Sequence, residues 1–220
     1  AAAWLKAIVP LSIVSGLQLL NQSADILMLG WLSDSSSVGI YTAAAQFAML
    51  TIFGLKIVDM TVQPMFARLH SEKKDAVLQR FFTITARCSF GIALPVTATI
   101  CFGSEQILEL FFGRLYIEGS KSLQVLSLAR LVSAFMGPLG MLLMMAAQEN
   151  AVLRALIVSV AANILLNFFL IPPFDMVGAA LATATSIVLW NILLANHLLQ
   201  KLSIRPTALV SIQQSESTVN

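Results

Sequence analysis

Six apolar runs alternate with short polar links along this chain, at roughly residues 4–32, 38–67, 80–103, 121–147, 152–171 and 177–200. A helix rising 1.5 Å per residue needs about 20 apolar residues to cross a hydrocarbon core of roughly 30 Å, and runs of this length do not fit the alternating ten-residue strands of a membrane barrel. The pattern predicts an all-α integral membrane protein whose residues 1–202 form six transmembrane helices. The links read "SDSSS", "RLHSEKKDAVLQ", "GSEQILELFFGRLYIEGSK", "QEN" and "PPFDM". In the third, "ILELFFGRLY" is apolar over much of its surface yet too short to span, which predicts a helix lying along the outer interface. The polar stretch 203–220 is expected to be a disordered cytoplasmic tail.

Polar residues inside the runs carry the next layer of information. Ser15, Gln18, Gln22 and Asp25 follow steps of three and four and so share one helical face, with Asn21 beside it; Ser159, Asn163 and Asn167 do the same on the fifth run. Such stripes do not face lipid. They serve either helix-to-helix hydrogen bonds, worth around 0.6 kcal/mol each in membrane proteins, or a wet cavity, and four polar groups in line on the first run favour the cavity. In "FGLKIVDMTVQP" a lysine and an aspartate interrupt the second run, where a central charge costs about 2.5–3.5 kcal/mol on insertion scales. Lys56 and Asp59 stand at i and i+3, so they are expected to pair along their own helix, with Lys56 able to snorkel towards cytoplasmic phosphates. Arg80, Thr83 and Arg87 form a further stripe; headgroup contact accounts for Arg80, while Arg87 lies two turns deeper. Arg130 falls about 14 Å into the fourth run and Asp25 about 9 Å below Trp31, so the two are expected to meet in an ion pair that an incoming anion could open.

Composition agrees with the pattern. The 220 residues are 58% hydrophobic and 11% charged, with mean hydropathy +0.85, against about 25% charged in soluble domains. A net charge of +2, with no basic run interleaved with aromatics, gives no reason to expect nucleic acid. The placement of charge is more telling. Lys6, Arg68, Lys73, Lys74, Arg80, Arg87, Arg154, Lys201 and Arg205 fall on one side and Arg114 and Lys121 on the other, which predicts that both termini are cytoplasmic. Trp31 and Tyr41 are then expected at the outer interface as aromatic anchors. Cys88 and Cys101, about 20 Å apart along one helix, cannot pair and read as small core residues. His70 and His197 lie near cytoplasmic helix ends, no metal-ligand spacing is spelled, and no glycine-rich stretch is followed by the lysine of a phosphate loop. Neither an enzyme nor a cofactor is expected. The chain opens on "AAAWLK" without methionine, so it is expected to be a piece of something longer.

The stretches "ILELFFGRLYIEGSKSLQVLSLARL" (107–131) and "NILLNFFLIPPFDMVGAALATATS" (163–186) resemble the C-terminal region of O-antigen and teichoic-acid type polysaccharide flippases, in the multidrug/oligosaccharidyl-lipid/polysaccharide exporter superfamily. "VPLSIVSGLQLLNQSADILMLGWL", "SVGIYTAAAQFAML" and "QPMFARLHSEKKD" are similar to the opening of that second half and to its Pro-x-x-Ala motif with a basic loop. The resemblance covers about residues 4–200. It implies one six-helix lobe of a two-lobe exporter fold, partnered by a missing N-terminal lobe or a second half-length chain, in a bacterial cytoplasmic (inner) membrane. It also implies a lipid-linked oligosaccharide of undecaprenyl-pyrophosphate type, moved by alternating access. The residues expected to meet that substrate are Arg130, Asp25, Lys56, Asp59, Arg87, Gln18, Gln22, Asn163 and Asn167, a slightly basic interior suited to an anion. A lobe of a multidrug cation antiporter, which would call for an acidic cavity, and a non-transporting membrane scaffold are the alternatives.

Overall fold

The computed structural model describes Gly16 and residues 23–72 and 75–202, and every regular element among them is helical. In chain order these are α1 (Ser23–Leu32), then α2 (Ser35–Ala48), α3 (Phe53–Ser71), α4 (Asp75–Phe112), α5 (Ser120–Met136), α6 (Leu139–Met145) and α7 (Glu149–Leu202). A 3-10 turn, Met49–Ile52, carries α2 into α3, and a second, Arg114–Gly119, precedes α5. The expected tail 203–220, as well as Gln18, Gln22, Lys73 and Lys74, lies outside the described residues.

Ser35–Leu69, Ala76–Phe112 and Glu149–Lys201 are each long and apolar enough to cross a membrane, and Arg114–Met136 with Leu139–Met145, bent by 42°, forms a fourth such unit. The third stretch, at 53 residues, would measure about 80 Å if straight, far more than a hydrocarbon core of roughly 30 Å. It is instead a hairpin. Asp175 breaks the helix at φ 50 and ψ −129. Asn163 Nδ2 donates to Thr183 Oγ1 at 3.3 Å, although residues 20 apart on a straight helix stand about 30 Å apart. The limbs approach so closely that a Cβ on Gly178 would run into the carbonyl of Leu170. Counting α1, the α2–α3 unit, α4, the α5–α6 unit and the two limbs of α7 gives the six-helix bundle read from the sequence.

Two breaks have visible local causes. Gly103, at φ −114 and ψ 18, interrupts α4, and beside it the carbonyl of Cys101 accepts from Gln124 Nε2 at 3.0 Å, which also reaches Ser104 Oγ at 2.8 Å. Beyond this kink the final turns of α4 expose Leu110 and Phe111, followed by Leu115, and Glu109 pairs with Arg114. The α5–α6 bend sits at Gly137, whose φ of 78 suits glycine and whose absent side chain lets Ala86 and Phe82 of α4 approach.

Among the described residues the apolar side chains bury in two large clusters and a small third one, Leu156 with Val160. One large cluster, near the α1–α2 turn, contains Leu29, Tyr41, Leu123 and Ile171; the other, near the α3–α4 end, contains Phe66, Phe82, Leu142 and Leu194. Phe66 packs on Phe81 and Phe82 with ring centroids 5.1 and 6.2 Å away. Large apolar side chains left uncovered, including Trp31, Met60 and Phe102, are the surface a bilayer or another lobe would cover. The protein is a multi-pass membrane protein.

Candidate functional site

Asp25, the described member of the first polar stripe, meets the stripe on the fifth run. Asp25 on α1 is 5% exposed, and both its oxygens are engaged. Oδ1 accepts from Asn167 Nδ2 at 2.9 Å, while Oδ2 accepts from Tyr41 Oη at 3.1 Å and from the Thr183 hydroxyl. Asn167 also donates to Asn163 Oδ1 at 3.0 Å, and Asn163 donates onward to Thr183. Four helical segments thus meet at one carboxylate: α1, α2 and both limbs of α7. A charge sealed among helices has to be hydrogen-bonded to persist, and three neutral donors fulfil that requirement here.

The depth of this cluster follows from chain geometry. Asp25 lies eight residues before Ser33 and Tyr41 eight after it (33 − 25 = 41 − 33 = 8). Asn167 and Thr183 are likewise eight residues either side of Asp175 (175 − 167 = 183 − 175 = 8). At 1.5 Å per residue all four stand about 12 Å below their turns.

Several expectations are corrected. Tyr41 is not an interfacial anchor: it is 1% exposed and turned inward to Asp25. Trp31, 76% exposed, has the position expected of one. Asp25 forms no ion pair with Arg130 among the described residues; neutral donors engage both its oxygens. Arg130, on α5, lies within electrostatic range of Asp25 and Tyr41, and its Nε is buried without a hydrogen-bond partner among the described residues. No ion pair joins Lys56 to Asp59 among the described residues. Lys56 is exposed, whereas Asp59 is half-buried, and its Oδ1 is buried without a hydrogen-bond partner among the described residues; the lysine extends to the open side, where its ammonium keeps its solvation. Arg87 is exposed on α4, and Cys88, expected in the core, is exposed beside it.

The site therefore brings Asp25, Asn163 and Asn167 together, with Arg130 near, and leaves Lys56, Asp59 and Arg87 elsewhere on α3 and α4. Thr183 completes it without having been singled out from the sequence, and Tyr41, expected at the interface, completes it from α2. The groups around the carboxylate are two hydroxyls and the Asn167 amide nitrogen. Among the described residues the Asn167 Oδ1 atom has no partner and no group of three His, Cys, Asp or Glu occurs.

Comparison with known proteins agrees with this architecture. Two proteins of Haloferax volcanii are similar. The probable low-salt glycan biosynthesis flippase Agl15 is 26% identical over 181 residues, 82% of this chain and 38% of the relative. The probable flippase AglR is 27% identical over 172 residues, 77% of this chain and 36% of the relative. This chain thus spans well under half the length of either. The fold is shared with a multidrug resistance MATE family transporter of the MOP superfamily, solved in an outward-facing conformation, at a TM-score of 0.67 and 19% identity over 94% of this chain and 46% of that one. The MatE family model matches residues 10–169, and with most of its length inside that match the chain belongs to the MatE family.

Proposed function

We propose that this chain is one six-helix lobe of a flippase that carries a lipid-linked oligosaccharide across the membrane by alternating access. It is a transporter lobe rather than an enzyme. A second lobe, on a missing N-terminal half or on another half-length chain, completes the cavity, and membrane lipid surrounds both. The carrier lipid in this reading is of undecaprenyl-pyrophosphate type, the membrane is a bacterial cytoplasmic membrane, and both termini face the cytoplasm, so that the α1–α2 turn lies outside.

The observation that carries the reading is Arg130. Its guanidinium stands near a carboxylate that does not engage it, and its buried Nε has no acceptor among the described residues. A buried donor without a partner costs roughly 1–3 kcal/mol, so an anionic ligand that supplies an acceptor recovers that cost on binding. Pyrophosphate offers several acceptor oxygens to the planar fork. Asp25, held among the described residues by neutral donors, is then free to serve as the ion-coupling group. The names of the two Haloferax volcanii relatives, one a glycan biosynthesis flippase, support the same substrate class.

A second reading, a lobe of a cation exporter, draws on the buried Asp25 carboxylate and on the shared fold with a multidrug transporter. The two separate on one experiment. In the full-length protein, Arg130→Ala should abolish surface display of the glycan, Arg130→Lys should retain part of it, and both should reach the membrane at normal levels. Normal display by Arg130→Ala would remove the anion contact and leave the cation reading ahead.

A further inference from the structure

The tip of the α7 hairpin has a sequence that its backbone disfavours. At Asp175 the chain adopts φ 50 and ψ −129, the mirror-image region that glycine enters freely and that an L side chain enters only at a cost. Residues held there persist where the surroundings over-determine them. What surrounds Asp175 is the α1–α2 turn: Ser33 donates its hydroxyl to Oδ1 and Ser37 donates to Oδ2 at 2.7 Å. These contacts link residues 142 and 138 positions apart. Glycine would relieve the backbone but could not accept either hydroxyl.

We propose that Asp175 is a positioning residue that clasps the two hairpins at their tips and thereby sets the register of the buried cluster below. Asp25 and Tyr41 hang eight residues from Ser33, and Asn167 and Thr183 hang eight from Asp175. Because each arm has the same length, joining Ser33 to Asp175 brings all four groups to one level. A slip of a single helical turn, about 5.4 Å, would carry Asp25 out of reach of Asn167 and Thr183. The clasp thus acts on Asp25 from about 12 Å away, through two rigid arms. Any movement of α1 against α7 that opens the cluster has to release it. The inference stands on these contacts alone and holds for whichever ligand the lobe carries.

The test uses the purified chain in lipid nanodiscs, with two readouts that do not involve transport. Asp175→Gly removes the acceptor in a conformation that glycine tolerates, and the Ser33→Ala/Ser37→Ala pair removes the donors while leaving the α7 turn untouched. Both variants should raise amide hydrogen exchange across residues 26–40 by on the order of tenfold and leave the middle of α4 unchanged. Both should also shift the infrared carboxylate band of Asp25, assigned by its loss in Asp25→Asn. Asp175→Asn, which keeps one acceptor oxygen, should be intermediate. If the Asp25 band is unmoved in both variants, Asp175 serves only its own turn and the positioning role is refuted. That outcome would leave the flippase reading as it stands, because no transport is measured.

Discussion

Replacing Asn167 by alanine removes the one side chain that donates to both Asp25 and Asn163. A hydrogen bond to a charged group is worth about 1.5–3 kcal/mol, and a neutral pair inside a membrane protein about 0.6 kcal/mol, so the loss should amount to about 2–4 kcal/mol. Asn167 is fully buried and Asp25 is 5% exposed, so no lipid or bulk water takes over as donor at Asp25 Oδ1 without a rearrangement of α1 and α7. The assay is reversible unfolding in mixed micelles, run as a double-mutant cycle with Asp25→Ala. Since Asn167 and Asp25 are in direct contact, the cycle should return a coupling of about 1–2 kcal/mol, with the double variant less destabilised than the sum of the singles. A coupling under about 0.5 kcal/mol would mean that the carboxylate is satisfied without Asn167, and the account of how Asp25 is held would fail.

Other consequences follow from the breaks and the isolated charge. Gln124→Ala removes the hydrogen bonds to the Cys101 carbonyl and to Ser104 Oγ at the α4 kink and should lower the apparent melting temperature, whereas a substitution at the exposed Leu128 on the same helix should not. Gly137→Val places a branched side chain at φ 78 with a Cβ 2.9 Å from that of Ala86, so it should lower folded yield more than Gly140→Val, where the nearest atom lies 3.5 Å away. Asp59→Asn removes a charge that has no ion pair among the described residues, so it should leave stability unchanged or raise it; a loss above about 1 kcal/mol would reveal a partner for the carboxylate.

How much of this was legible beforehand depends on the kind of signal. The six apolar runs specified the bundle because the bilayer imposes their length. The fold-back at Asp175 was legible too, as the "PPFDM" link, although the helical hydrogen bonding runs on almost through it. The Ser159, Asn163 and Asn167 stripe appeared in the structure on a buried face, as its spacing required. Arm length was also in the sequence: equal counts of eight residues from each turn identify Tyr41 and Thr183 as level with Asp25. An aromatic near a predicted helix end was instead assigned to the interface, a rule that takes no account of which way the ring faces. The Asp25–Arg130 pairing failed for a related reason. Matching depths show that two charges could meet, while the neighbours that outbid a partner, here Tyr41, Asn167 and Thr183, lie on other segments. Lys56 and Asp59 show the limit of i,i+3 spacing, which permits a pair but does not require one: Lys56 is exposed and Asp59 half-buried.

The proposed activity itself is tested most directly by translocation in proteoliposomes made with the full-length protein. A fluorescent pyrophosphate-linked lipid oligosaccharide is placed in one leaflet and its appearance in the other is followed by quenching, with a cationic dye tracked in parallel. The account predicts protein-dependent movement of the glycan lipid, lost in Arg130→Ala, and no accumulation of the dye. Robust dye exchange in vesicles where the glycan lipid stays in its leaflet would contradict it.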